Sequence, residues 1–298
     1  MTVAAPELVE PGRGAGLRDV FRQRFLLRLI VRQEMRVRYH GSLLGLFWSY
    51  VKPAVQFVVF YFALGVFLRV SENVEDFAIY LFSGLVILNF FGEAFGNAAR
   101  SIVRNASLVN KIYLPREMFP VATTWVAAVH FVPQLVVLMI AALTVGWTPS
   151  VGALFSAALG FALVACLVTG LGLLMAALNV YFRDVENIVD LVLLVVVWLS
   201  PVLYPWTFAQ EKITIGWLEW LYLANPLTIA VQLFQRAFWF PGAQTPVENP
   251  PPDLDLSVDQ LGPDLFTRGV LALAFSLLVL VLGQLVFRRL EGRFAQEL

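Results

Sequence analysis

MFPVATTWVAAVHFVPQLVVLMIAALTVGWTPSVGALFSAALGFALVACLVTGLGLLMAALNVYF, residues 118 to 182, runs for 65 residues between Glu117 and Arg183 without one Asp, Glu, Lys or Arg. A charge at mid-bilayer costs about 2.5–3.5 kcal/mol on insertion scales, and about 20 apolar residues cross the hydrocarbon as a helix. The stretch is too apolar for a soluble domain and too long for one crossing. Gly146-Trp147-Thr148-Pro149-Ser150 is the turn signal that divides it, predicting membrane helices over 121–146 and 151–180. The same ruler predicts further spans at 50–69, 77–99, 187–204 and 268–287, six in all.

Composition agrees with that reading. Of 298 residues, 59% are hydrophobic and 14% charged, against about 25% charged in soluble domains, and the mean hydropathy is +0.75. Disorder, a basic nucleic-acid binder and a secreted disulfide scaffold are excluded. Cys166 is the single cysteine, which excludes an internal disulfide and any multi-Cys metal site. The expected fold is an all-α integral membrane protein.

The net charge of 0 carries information only through its placement. With six spans, both termini share a side. Lys and Arg are concentrated in residues 1 to 52, in the loop after span two (Arg100, Arg104, Lys111, Arg116), at Arg183 and at the C-terminus (Arg288, Arg289, Arg293), so that 17 of 21 fall on one side. The positive-inside rule makes that side cytoplasmic, with both termini inside a bacterial cytoplasmic membrane. Arg-rich sequence before the first apolar run argues against a cleavable signal peptide.

Residues 1–16 read as a disordered tail. Over 17–37, Arg18, Arg22, Arg28, Arg32 and Arg36 fall within about 120° of helical arc, and Leu17, Val20, Leu27, Val31 and Met35 within about 80°. This predicts an amphipathic helix on the membrane surface, serving as a polybasic lipid anchor or as a docking element. Phe21, Phe25 and Leu29 sit among the arginines and Arg24 among the aliphatics. The transmembrane domain spans 38–290, with a cytoplasmic loop at 100–120, an outer region at 205–267 and a tail at 291–298. In the outer region, residues 220–235 carry no charge and are interrupted by Asn225-Pro226, which predicts two short helices or a re-entrant hairpin. Pro241 to Asp264 reads as an exposed connector.

Catalytic signatures are missing. None of Lys52, Lys111 and Lys212 follows a glycine, so the phosphate-binding G-x-x-x-x-G-K-[ST] loop is absent; so are G-x-S-x-G, H-E-x-x-H and any Cys/His cluster. No metal site or cofactor is expected in this chain. Glu93 falls about 24 Å into a core of about 30 Å, near the inner face and partly solvated. His130 falls about 14 Å deep and reads as a neutral histidine bonded to a neighbouring helix. No chain of carboxylates crosses the membrane, so a proton-coupled transporter is disfavoured and energy must come from elsewhere. Aromatics are plentiful, with 25 Phe, 8 Trp and 8 Tyr, and flat rings suit the apolar faces of sugars. Gly41-x-x-x-Gly45 and Gly92-x-x-x-Gly96 would allow close helix approach.

Four stretches together resemble the membrane subunits of ABC-2-type polysaccharide exporters, the O-antigen, teichoic-acid, capsule and lipid-linked galactan permeases. They are RYHGSLLGLFWSYVKP (38–53), NASLVNKIYLPRE (105–117) after LFSGLVILNFF (81–91), GLGLLMAALNVYFRDVEN (170–187), and WLSPVLYP (198–205) followed by Asn225-Pro226-Leu227. The resemblance implies a six-span, type V exporter-like subunit that pairs as a homodimer with two ABC ATPase subunits, which bind the ATP and Mg. The implied cargo is polyprenyl-diphosphate-linked polysaccharide, passed between the two copies and in contact with membrane lipid but with no nucleic acid.

On that resemblance, Asn105, Leu108, Lys111, Ile112, Tyr113, Leu114, Arg116 and Glu117 meet the ATPase, and short helices between spans five and six gate the outer exit. Tyr181, Arg183 and Asp184 match the family's cytoplasmic loop motif. Arg36, Arg38, Tyr39 and Lys52 are placed where the diphosphate enters, and Trp48, Phe57, Tyr61, Trp198 and Tyr204 along the sugar path. An ABC-2 exporter of a lipid or drug-like substrate, or a membrane partner of a polyprenyl-linked glycosyltransferase, are the alternatives.

Overall fold

The computed structural model describes residues 16–239 and 261–298, except 44, 73, 112, 113 and 214. The expected tail at 1–15 and the connector at 240–260 lie outside the described residues. All regular structure among the described residues is helical. Five helical segments are long and apolar enough to cross a membrane: Trp48–Phe67, Phe77–Arg104, Met118–Thr144, Val151–Tyr181 and Leu265–Arg293.

The first is α3 (Trp48–Phe60) continued by a wider π-type winding over Tyr61–Phe67. The others are α4 (Phe77–Arg104), α6 (Met118–Thr144), α7 (Val151–Tyr181) and α12 (Leu265–Leu290). Preceding them are α1 (Leu17–Arg22) and α2 (Arg24–Tyr39), and α5 (Ala106–Lys111) follows α4. Between α7 and α12 lie α8 (Val185–Val196), α9 (Trp206–Lys212), α10 (Gly216–Ala224) and α11 (Pro226–Phe238). A single turn, α13 (Phe294–Glu297), closes the chain.

The predicted break between α6 and α7 forms as its residue types require. Gly146 adopts φ 86°, its N–H reaches the Leu143 carbonyl at 3.3 Å, and the Trp147 N–H reaches that of Ala142 at 3.0 Å. These two bonds make a Schellman close, for which a left-handed glycine is the cheapest residue. Ser150 then caps α7, its Oγ accepting from the Ala153 N–H at 3.1 Å.

α4 is the central helix, packed by α6, α7, α8 and α11, and α7 packs along α12. Phe90 of α4, Phe131 of α6 and Phe161 of α7 form a triangle with centroids 5.1–5.4 Å apart, and Phe234 of α11 joins Phe131 edge-on at 6.0 Å. In contrast, no residue of α3 is fully buried: Phe57 and Phe60 are half-buried against the core, while Val55, Val58 and Val59, with Phe62 and Val66 of the π winding, are exposed.

One expectation changes and two become specific. The fifth span, expected over 187–204, is helical only to Val196, about 18 Å of helix. The rest of WLSPVLYP runs in turns because Pro201 disfavours helix at the residue before it and removes a donor. Secondly, the two short helices expected on either side of Asn225-Pro226 form as α10 and α11, and α11 is buried throughout from Leu227 to Gln235, against α7, α4 and α12. Asn225 starts it, its Oδ1 accepting from the Leu227 N–H at 3.1 Å. Thirdly, the segment expected over 17–37 packs on the bundle. Val20 of α1 and Leu27 of α2 lie on Met118, Val121 and Ala122 of α6, and the far end of α2 reaches His130, so α2 runs along α6.

Candidate functional site

Where α2 ends against α4 and α6, five polar side chains meet. Arg38 donates through Nη1 to Glu93 Oε1. His130 Nδ1 lies 2.6 Å from the same oxygen, and its Nε2 lies 2.8 Å from the Tyr39 hydroxyl, which is itself hydrogen-bonded to that of Ser49. One arrangement satisfies every group with a neutral imidazole. Nδ1–H donates to Glu93, Tyr39 O–H donates to Nε2, and Ser49 O–H donates to Tyr39, with the tautomer assigned from the network. Charged and polar groups buried at membrane depth are costly and are retained only where paired.

α4 continues to Arg104, so Glu93 lies about 17 Å from that end, and His130 lies about 18 Å from the start of α6. The two therefore stand at one level, with His130 wholly buried and Glu93 24% exposed. The partner expected for His130 on a neighbouring helix is Glu93. Around this core, the Tyr50 hydroxyl, Asn89 Nδ2 and Gln134 Oε1 are buried without a partner among the described residues. Asn89 is one helical turn from Glu93, and Gln134 one turn from His130.

The same end of the bundle that carries the start of α2 gathers the basic loops. Arg104 Nη2 donates to Glu34 at 2.8 Å and Asn105 Nδ2 to its other oxygen at 3.1 Å. Arg116 donates to the Glu291 carbonyl and lies 5.7 Å from the centre of the Phe294 ring. Tyr181 donates to the Leu290 carbonyl at 2.8 Å. Arg100 bridges α4 to α8, with Nη2 at 2.7 Å from both Asp190 oxygens and Nε at 3.3 Å from Glu186. Asn179 spans the same joint, donating to Glu186 at 3.0 Å and to the Ala99 carbonyl at 3.1 Å.

A family model for ABC-2 type transporters matches residues 26–239, from the start of α2 through α11. This chain belongs to the ABC-2 type transporter family. Among curated relatives, the O-antigen export system permease protein RfbA of Klebsiella pneumoniae is 26% identical over 217 residues, covering 72% of this chain and 80% of that one. RfbA of Myxococcus xanthus is 27% identical over 224 residues, 75% and 84% of the two chains. The polysialic acid transport protein KpsM of Escherichia coli is 20% identical over 218 residues, 72% and 81%. As an ABC-2 transporter chain with five long apolar helices, it is a multi-pass membrane protein and a transport subunit.

Within this ABC-2 chain the residues singled out from sequence divide sharply. Of those placed where substrate enters, Arg38 and Tyr39 join the Glu93–His130 cluster, whereas Arg36 and Lys52 are exposed outside it. In the 105–117 loop, Ile112 and Tyr113 lie outside the described residues. Asn105, Arg116 and the buried Glu117, which accepts from Gln284 at 2.9 Å, are tied inward, and Leu108 packs beneath them. Lys111 is exposed and Leu114 half-buried.

Phe57 stacks on Tyr61 at 5.9 Å and meets Phe82 edge-on at 5.3 Å, whereas Trp48 and Trp198 are exposed. Tyr204 donates to the Trp198 carbonyl at 2.8 Å. Burial, and then Tyr204, push the nearby Tyr222 phenol well above its ordinary value. Arg183 and Asp184 are exposed in the turn before α8. Of the two glycine pairs, Gly92 and Gly96 receive Leu193 of α8, whereas Gly41 and Gly45 have no neighbour near a Cβ position.

Sequence reasoning missed Arg100, Asp190 and Tyr80. Tyr80 Oη lies 2.7 and 2.8 Å from the Pro201 and Tyr204 carbonyls, and Gln235 Nε2 donates to Pro201 at 2.7 Å. Backbone that leaves a helix at membrane depth must find such partners, so a proline-broken span was the signal to look for polar residues elsewhere.

Proposed function

We propose that this chain is the membrane subunit of an ATP-driven exporter that moves polyprenyl-diphosphate-linked polysaccharide, such as an O-antigen, galactan or teichoic-acid-like chain, across the bacterial cytoplasmic membrane. The observation that carries the reading is the match of 72–75% of the chain to permeases named for O-antigen export. The chain has no phosphate-binding loop. ATP and Mg are therefore bound by two separate ABC ATPase subunits, and no catalytic site is needed here.

Two copies of the chain form the conduit. Support comes from α3 with its π winding and from α8 with the turns after it, where Val58, Phe62, Leu191 and Trp198 are exposed, apolar groups suited to lipid or to a second copy. Both termini and the Arg-rich end face the cytoplasm. Closure of the ATPases pushes on the 105–117 loop and α2, separating α3 of one copy from α8 of the other. The diphosphate is drawn in by the basic residues before α3, and the sugars slide over aromatic faces that offer many weak contacts. The short helices α9 and α10 gate the far exit.

The test is copurification of the chain with an ATPase subunit, followed by ATPase assay with lipid-linked glycans. Stimulation by one glycan class supports the reading. Stimulation only by lipids or drug-like amphiphiles, or a nucleotide-sugar dependence of the isolated chain, would refute it.

A further inference from the structure

Arg38 is well suited to grip a phosphate, because its planar fork matches phosphate oxygens in a way a point charge does not. Its guanidinium, however, is already held by Glu93. The two ends of that pair are unequal. Among the described residues Glu93 is Arg38's only carboxylate partner, whereas Glu93 Oε1 also receives His130 Nδ1 at 2.6 Å. If Arg38 leaves, the carboxylate keeps a donor; if Glu93 leaves, Arg38 keeps no carboxylate among the described residues, only the edge of the His130 ring, whose Nδ1 lies 3.4 Å away. The pair is also reachable, with side chains 27% and 24% exposed, while His130 behind it is closed off. Beside it, the Tyr50 hydroxyl and Asn89 Nδ2 are donors with no acceptor among the described residues, the type of group a phosphate oxygen uses, and Gln134 Oε1 suits a hydroxyl instead.

We propose that Glu93 is the resident counter-ion of a phosphate site: it holds Arg38 while the site is empty and yields it to the diphosphate of a lipid-linked substrate, remaining bonded to His130. A partly buried guanidinium without a partner is costly, so exchange of one anion for another keeps it paired throughout. Glu93 and His130 are then positioning residues. They aim Arg38 and Tyr39, and they set how tightly a diphosphate must bind to displace the carboxylate. The proposal rests on the reading of the chain as an exporter of diphosphate-linked glycan.

The experiment measures binding to the copurified complex in detergent, with three probes: a polyprenyl diphosphate, the matching polyprenyl alcohol and inorganic pyrophosphate. Glu93→Gln is expected to bind the polyprenyl diphosphate about tenfold more tightly than the wild type, because the competing carboxylate is gone. Arg38→Gln should bind it at least about tenfold more weakly, the double variant should follow Arg38→Gln, and the alcohol should be indifferent to all of them. Should Glu93→Gln fail to fold, Glu93→Asp, with a shorter reach to Arg38, should show a smaller tightening.

Weakening or no change in the Glu93 variants overturns the counter-ion role, since a merely structural ion pair would weaken binding from either side. Equal affinity for inorganic pyrophosphate overturns the lipid-borne source. ATPase stimulation of the same wild-type complex by lipid-linked glycan separates the two readings. If it persists while the Glu93 variants fail to tighten, only this proposal falls; if it is absent, export itself is refuted.

Discussion

Gly170 and Gly283 face each other at the crossing of α7 and α12. A Cβ on Gly283 would overlap the Gly170 carbonyl, and one on Gly170 would come within 2.6 Å of the Leu280 Cα and N. Backbone cannot move aside as a side-chain tip can. Gly283→Ala and Gly170→Ala should each cost about 3 kcal/mol or more by forcing the helices apart, read as a lower Tm of the purified protein. Gly152→Ala, where no atom lies within 4 Å of the Cβ position, should stay within about 0.5 kcal/mol.

Tyr80 holds the non-helical continuation of α8 through the carbonyls of Pro201 and Tyr204. Tyr80→Phe keeps the ring and removes the donor, leaving the Tyr204 carbonyl without it while that of Pro201 keeps Gln235, at a cost of about 1–3 kcal/mol. Besides the drop in Tm, a cysteine placed at 203, where Leu203 is buried, should become reactive to a membrane-permeant maleimide. Unchanged reactivity would show that Gln235, with the Thr228 hydroxyl that donates to the Leu199 carbonyl at 3.3 Å, suffices to hold this segment.

The bond of Arg100 to Asp190 fixes α8 against α4. Because these side chains are 31% and 62% exposed, a double-mutant cycle of Arg100→Ala and Asp190→Ala should give a coupling of only about 1 kcal/mol. Arg100→Ala alone should cost more, since Glu186 loses its cation as well.

Within the 105–117 loop the consequences of substitution should divide by packing. Lys111→Glu combined with Leu114→Ala is expected to lower glycan-stimulated ATPase activity several-fold in the complex, with Tm unchanged. Arg116→Ala, which removes the bond to the Glu291 carbonyl and the contact with Phe294, should lower Tm first. A loss of stability from the Lys111 variant, or full coupling in it, would contradict an ATPase contact at that residue.

Much of the fold was legible because its causes are local. Charge-free length marked the long helices, and Gly146 followed by Ser150 specified the close of α6 and the cap of α7. The same principle misjudged 187–204. Apolar length there suggested a span, but Pro201 breaks the helix, and the turns that follow survive only because Tyr80 and Gln235 supply donors from 121 and 34 residues away. Asn225-Pro226 marked the break between two short helices and the charge-free run around it suggested re-entry, but which helices α11 would pack against was not local information.

The candidate site was only half visible for the same reason. Sequence by itself determined that this is an all-helical membrane chain, that its basic loops gather at one end, and that it carries the motifs of its family. Only the tertiary structure decided that Arg38 meets Glu93 and His130, 55 and 92 residues further on, and that Gly170 meets Gly283 without any shared spacing. Residue type and periodicity fix how each helix winds and which of its faces is apolar. The register in which one helix meets another comes from packing distant segments together, and it is that register which sets a buried charge beside its partner.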